Sequence, residues 1–237
     1  VTPVPEVSLV IPVYNEEALL HAAVVDLRER LAPHALDYEL ILAENGSRDA
    51  TAEIAKQLCA RFPELRLEQS PQPNYGEALR RGISAARGRF VICEEIDLCD
   101  VDFHLHALTL LRADRADLVI GSKLVGGARD ERPLLRHALS VAYTRVLRLL
   151  FDFRGSDTHG LKAFRRDALL PLVRACRVGR DVFASELVIR AYREPLRVVE
   201  IPVRVLEKRP PSINLLDRVP GVVADLWQLT RAIHGKP

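Results

Sequence analysis

The chain has 237 residues, 48% hydrophobic and 28% charged, a balance that supports a sizeable core and excludes long disorder. Lysine and arginine total 34 against 32 aspartates and glutamates, so the formal charge of +2 excludes nucleic acid as the main partner and leaves phosphate recognition to local groups. Cys59, Cys93, Cys99 and Cys176 lack the paired spacing of a zinc site, and no run reaches the roughly 18 apolar residues of a membrane span.

The length suits one α/β domain. Val7–Val13 is the short apolar run that a strand buried on both faces requires, and Pro12 marks its approaching end. After the loop Tyr14–Glu17, the residues Leu19, Leu20, Ala23, Val24, Leu27 and Leu31 recur on one helical face. Tyr38–Ala43 reads as a second strand, followed by the turn Glu44-Asn45-Gly46-Ser47 and a helix through Leu58. Leu65–Gln69 reads as a third strand, Tyr75–Ala86 as a helix, Phe90–Cys93 as a fourth strand, Phe103–Arg112 as a helix and Leu118–Gly121 as a strand. This alternation predicts a mostly parallel central sheet flanked by helices.

Farther along, Val125–Arg136 combines glycines with charges and reads as a mobile loop over a site. Ala138–Leu150 reads as a helix, Asp157–Phe164 as a return to the sheet, Asp181–Arg193 as a helix and Arg197–Val205 as a late strand. Val219–Ile233 has the pattern of an amphipathic helix, packed on the domain or held at its periphery.

Chemistry gathers where strands end. At the end of the Phe90–Cys93 run comes Glu94-Glu95-Ile96-Asp97, and the one-residue spacing of Glu95 and Asp97 lets an extended segment or a turn aim both carboxylates to one side. Two hard oxygen ligands at a strand exit suit Mg²⁺ or Mn²⁺ carrying phosphate oxygens. Glu44 closes another strand, where it can recognise a base or ribose, while Asn45-Gly46-Ser47 has the composition of a turn and helix cap. Glu16 and Glu17 fit either ligand recognition or a favourable charge in a first helical turn.

These segments, in this order, resemble the family 2 glycosyltransferases, in particular the catalytic domains of dolichyl- and polyprenyl-phosphate mannose or glucose synthases, from Ser8 to about Ser212. The resemblance implies a single GT-A type α/β domain, residues 1–212, with residues 213–237 forming the C-terminal amphipathic helix. Val10-Ile11-Pro12-Val13-Tyr14-Asn15-Glu16-Glu17 resembles the opening strand and nucleotide loop, which implies that Pro12, Tyr14 and Glu16 lie beside the donor base and ribose. Glu44 takes an acidic nucleotide-contact position, with Asn45 where the family has a carboxylate. Asn74-Tyr75-Gly76-Glu77-Ala78 resembles the glycine-containing donor segment, with Tyr75 in place of its frequent lysine. Glu95-Ile96-Asp97 occupies the Asp-Ala-Asp metal motif, Asp97 being the stronger ligand.

On the other side, Gly121-Ser122-Lys123 resembles the Gly-Ser-Arg segment, and Lys123, Arg129 and Arg132 are expected to bind acceptor phosphate, with Arg136 a further candidate. Asp157-Thr158-His159-Gly160-Leu161-Lys162-Ala163-Phe164 resembles the acceptor segment of polyprenyl-phosphate glucose transferases. It implies that Asp157 orients the acceptor or takes its proton and that Lys162 attracts phosphate. Glu186 matches a late acidic position, and Arg209 and Ser212 match a terminal Arg…Ser loop over the donor. The expected reaction is inverting, metal-dependent transfer of a hexose from GDP-mannose or a UDP-sugar to a polyprenyl phosphate. The protein is expected in the cytoplasm, with docking at the membrane face or a separate membrane partner left open. Transfer to a soluble or natural-product hydroxyl, or nucleotide-sugar binding without turnover, are the alternative readings.

Overall fold

The computed structural model describes residues 4–131, 133–179, 182–205 and 219–234. Its centre is a seven-stranded sheet of order β3-β2-β1-β4-β7-β5-β8. These strands are β1 (Val7–Val13), β2 (Tyr38–Glu44), β3 (Leu65–Gln69), β4 (Phe90–Cys93), β5 (Leu118–Ser122), β7 (Lys162–Arg165) and β8 (Val198–Pro202). A two-stranded ribbon pairs β6 (Arg129–Asp130) with β9 (Arg204–Val205). The helices are α1 (Leu20–Leu31), α2 (Thr51–Arg61), α3 (Tyr75–Ala85), α4 (Val101–Arg112), α5 (Leu134–Phe151), α6 (Arg166–Ala175), α7 (Phe183–Arg193) and α8 (Val219–His234).

All of β1 is buried because both sheet faces are covered, which is why its sequence is apolar throughout and does not alternate. Alternation survives as a choice between two cores. Leu9, Ile11 and Val13 join the layer of α1, α2 and α4, whereas Val10 points into the layer of α3, α6 and α7 with Ile41 and Ala43. Gly82 permits the closest helix approach, since a Cβ there would meet Val10 Cγ1 at 2.4 Å. β1 runs parallel to β2, Val13 opposite Glu44, and parallel to β4, Val10 opposite Cys93.

The exception to parallel order fixes the site. β7 is inserted antiparallel between β4 and β5, so Lys162, its first residue, lies opposite both Cys93 and Ile120 near the carboxyl ends of those strands. The segment expected over Asp157–Phe164 therefore divides into a loop over Asp157–Leu161 and a strand from Lys162.

Val125–Arg136 departs from the expected mobile loop. Arg129 N–H donates to Val203 O (3.2 Å), Glu131 N–H donates to Val205 O (3.0 Å), and Arg204 pairs with Glu131 at 2.8 Å. Helix α5 then begins at Leu134, ahead of the expected Ala138. A two-residue strand is too short to show periodicity, which is why the sequence pattern misses it. Helix α8 seats Leu229 in the core, and His234 stacks on Phe151 at 5.7 Å while Trp227 remains 59% exposed. Among the described residues, no helix is long and apolar enough to cross a membrane.

Candidate active site

The loops that follow β1, β2 and β3 are bound to one another. Asn15, at φ 52°, donates its N–H to Ser47 Oγ (3.0 Å) and accepts the Arg48 N–H on Oδ1 (2.9 Å). Glu16 N–H donates to Thr51 Oγ1 (2.7 Å). Glu44, buried at the end of β2, accepts the Ser47 N–H on Oε1 (2.5 Å) and so shapes the turn. Gly46, at φ 70°, sits where a Cβ would meet the Gln72 backbone at 2.9 Å. Asn45 Oδ1 accepts the Asn74 N–H (2.5 Å), and the Asn74 side chain caps α3 by accepting from Glu77 N–H (3.1 Å).

Beyond β4 the chain turns sharply, with Leu98 and Cys99 N–H groups both directed to Glu95 O. Glu94 does not face solvent. Its buried carboxylate lies beneath the turn, accepting from Asp100 N–H (2.8 Å) and Glu95 N–H (3.3 Å) and pairing with His104 Nε2. Glu95 accepts the Tyr75 hydroxyl proton on Oε1 at 2.6 Å. Burial pushes the Glu95 acid up to about 7, with the Tyr75 hydrogen bond opposing and the Asp97 charge adding to the rise. Cys93, behind them, is pushed up to about 12 by burial and remains a neutral thiol.

Across the same edge, Lys123 Nζ donates to Asp157 Oδ2 at 2.7 Å, with the two side chains 11% and 5% exposed. Asp157 Oδ1 accepts the His159 N–H (2.9 Å). Burial raises the Asp157 acid, but the Lys123 charge, its hydrogen bond and the His159 N–H outweigh burial and hold it below the ordinary carboxylate range. A second rung lies beside the ion pair: Ser122 Oγ and Ser156 Oγ share a hydrogen bond of 2.6 Å. Glu200 on β8 grips Ser156, accepting its N–H (2.7 Å) and its hydroxyl (2.5 Å). Gly160 passes so close to β5 that a Cβ would lie 1.7 Å from Gly121 O.

The model of the family described as "Glycosyl transferase family 2" matches residues 8–171. The chain belongs to that family. Over 95% of its length it is 33% identical to glycosyltransferase AglD of Haloferax volcanii, and over 83% it is 27% identical to dolichyl-phosphate β-glucosyltransferase ALG5C of Trichomonas vaginalis. The chain spans 38% and 62% of those two relatives, less than two thirds of either. Glucosyl-3-phosphoglycerate synthase of Mycobacterium tuberculosis, solved with Mn²⁺, UDP and phosphoglyceric acid, aligns with 98% of this chain and 80% of its own at TM-score 0.63 and 22% identity. The shared architecture is the GT-A type α/β fold expected from the sequence.

This comparison corrects one expectation. The same fold, over nearly the whole family 2 domain, accommodates in the synthase a small phosphorylated acid, so the strand-end motifs do not specify a lipid carrier. The polyprenyl phosphate acceptor read from the sequence is therefore withdrawn.

In the family 2 domain, the sheet's carboxyl edge collects Tyr14, Glu16, Glu44 and Asn74 on one side, the Glu95–Asp97 turn in the middle, and Lys123 and Asp157 on the other. Pro12 is buried within β1, one residue short of that edge, and Tyr14 is 38% exposed. Lys162 is 4% exposed and donates to Gly160 O (2.6 Å); burial depresses its basicity, and the charges of Asp157 and Glu95 oppose the fall. Arg129 lies on the outer ribbon, whereas Arg132, Arg209 and Ser212 lie outside the described residues. Glu186 is fully buried and accepts the N–H groups of Arg177 (2.9 Å) and Val178 (2.8 Å) and the Arg190 guanidinium, so it braces the segment ahead of α7.

Sequence reasoning missed Tyr75 as a partner of Glu95 and the Ser122–Ser156–Glu200 chain. Only Glu200, a carboxylate within the otherwise apolar run Val198–Pro202, carried a legible signal.

Proposed function

We propose that the domain transfers a sugar, with inversion, from a nucleoside-diphosphate donor to the hydroxyl of a small soluble acceptor, with Mn²⁺ or Mg²⁺ bound by Glu95 and Asp97. The observation that carries this reading is the placement of the acidic turn between two different loop sets on one sheet edge. The linked loops around Tyr14, Glu16, Glu44 and Asn74 suit a nucleotide, and the Lys123–Asp157 side suits the group that attacks.

Among the described residues, no group of three or more His, Cys, Asp or Glu side chains is arranged to hold an ion. Two carboxylates nevertheless fit the implied metal, because Mg²⁺ and Mn²⁺ complete their octahedra with donor phosphate oxygens and water. The mutual repulsion of Glu95 and Asp97 is what a divalent cation relieves. When bound, the ion neutralises charge on the departing nucleoside diphosphate. The protein holds the donor between its first two loops and presents the acceptor from the Asp157 side. The acceptor oxygen attacks the anomeric carbon opposite the leaving phosphate, and Asp157 takes the hydroxyl proton.

Residues 1–212 form the transferase domain in this proposal, with the C-terminal helix packed upon it. The test is a mass-spectrometric assay with UDP-glucose and GDP-mannose, Mn²⁺, and an acceptor panel of 3-phosphoglycerate, glycerol 3-phosphate and glycerol. A glycosylated product that disappears in Asp97→Ala supports the reading. Donor binding without product from any of these acceptors overturns it.

A further inference from the structure

The Lys123–Asp157 pair poses a chemical difficulty. A carboxylate that accepts a hydrogen bond from an ammonium group at 2.7 Å, both nearly buried, is a poor base for a hydroxyl proton. Bonds other than the ion pair also hold the neighbouring backbone. Directly beside it, Ser122 and Ser156 are joined at 2.6 Å, and Glu200 fixes Ser156 from behind through both its N–H and its hydroxyl. Asp157 Oδ1 is separately anchored by His159 N–H. The ammonium of Lys123, on a flexible four-carbon stem, is thus the group that can leave while the two main chains stay in place.

We propose that Lys123 and Asp157 form a latch opened by an anionic acceptor, so that the transferred sugar goes to alcohols that also carry a phosphate or carboxylate. This rests on the reading of the site as a transferase for small hydroxyl acceptors. The acceptor's anion competes with Asp157 for Lys123; as the lysine turns to that anion, Asp157 keeps the His159 N–H and the nearby charge of Lys162 while its Oδ2 is freed. Asp157 Oδ2 then accepts the proton of the acceptor hydroxyl. The oxygen forms its bond to the anomeric carbon as the bond from that carbon to the nucleotide's phosphate oxygen breaks, and the electron pair leaves with the nucleoside diphosphate. A neutral alcohol leaves the latch shut, so selection for charge and activation of the nucleophile are one event.

Two measurements test the latch. In transfer assays, glycerol 3-phosphate is used better than glycerol by about a hundredfold in kcat/KM, the worth of one charge-assisted contact, and Lys123→Met collapses that ratio toward one while Lys123→Arg retains it. Equal use of the two alcohols by the unmodified protein, or an unchanged ratio in Lys123→Met, overturns the latch and leaves the transferase reading standing. Lack of transfer to either alcohol, with donor bound, overturns both.

The second measurement requires no turnover and serves if Lys123→Met fails to fold. Binding of glycerol 3-phosphate is followed by calorimetry in the unmodified protein and in Asp157→Asn, which keeps the shape and removes the internal competitor. The latch requires tighter binding in Asp157→Asn, by about tenfold. Equal or weaker binding shows that the ion pair is only a brace, and sinks the proposal.

Discussion

The two edges of the central sheet both bury carboxylates, and they treat them in opposite ways. At the amino edge, Glu39 is 2% exposed and fully engaged: Ser8 Oγ (2.7 Å), Arg87 N–H (2.7 Å), Arg87 Nε (2.8 Å) and Arg66 Nη1 (3.0 Å) all donate to it. Burial raises its acid, but these donors together outweigh burial and hold it below its ordinary value. At the carboxyl edge, burial drives the Glu95 acid upward; the Tyr75 hydroxyl bond opposes the rise and the like charge of Asp97 adds to it. A carboxylate surrounded by donors is a structural fixture. One set against another carboxylate at a strand exit is raised instead, and the contrast separates the two edges of one sheet.

The comparison is broken most directly at the carboxyl edge. Asp97→Ala is expected to lower transfer by on the order of 10² to 10³-fold, the range for losing one preorganised electrostatic contact, with the melting temperature nearly unchanged. A large fall in melting temperature with proportionate loss of activity would place Asp97 in the support class with Glu39. The converse substitution is Glu39→Ala. It leaves Arg66 and Arg87 without their shared acceptor and Ser8 without its own, so a loss of about 2–4 kcal/mol is expected in urea unfolding. Activity per folded molecule should be retained, because Glu39 lies at the edge away from the site. A fall in kcat without a fall in stability would contradict the division.

Gly160→Ala sharpens the boundary between the two classes. The added methyl would meet the carbonyl of Gly121, a backbone atom that cannot move aside as a flexible side chain would. The expected result is a loss of about 1–3 kcal/mol from overpacking, accompanied by an altered Lys123–Asp157 geometry and weakened acceptor use with donor affinity retained. A drop in donor affinity of the same size would show that the donor and acceptor loops are not mechanically separate.

The sequence revealed the fold where one residue pattern had one structural solution. The apolar runs Val7–Val13 and Phe90–Cys93 and the βα alternation left little choice but a covered parallel sheet. The acidic turn was equally legible because Glu95 and Asp97 stand where an apolar strand stops. Contacts made by residues distant in sequence were not legible. Tyr75 opens α3 while Glu95 follows β4, and Ser122 and Glu200, on the paired strands β5 and β8, meet Ser156 from the segment ahead of β7. Glu94 and Glu95 are neighbours of identical type, and the direction of the chain after β4 alone decides that one supports the turn and the other faces the site. The acceptor was read too narrowly because motifs at strand ends do not say whether the acceptor is a lipid.

The smallest expected effect concerns pH and again divides the two edges. Glu39 has a folded-state acid constant below its ordinary value of 4.5, so the unfolded chain binds the proton more readily than the native one. Its contribution to stability is therefore complete above about pH 4.5 and is lost as the pH falls through the lower, folded value. In Glu39→Gln the side chain cannot titrate, and its stability should change less across that window. The gap between the unmodified protein and Glu39→Gln, followed by urea unfolding from pH 7 to pH 3, should narrow as the acid limb is entered. A gap that stays constant would mean that the donors around Glu39 hold its shape without preferring its charge. The amino edge would then owe its stability to packing and neutral hydrogen bonds, and the contrast with the carboxyl edge would be one of exposure to ligand alone.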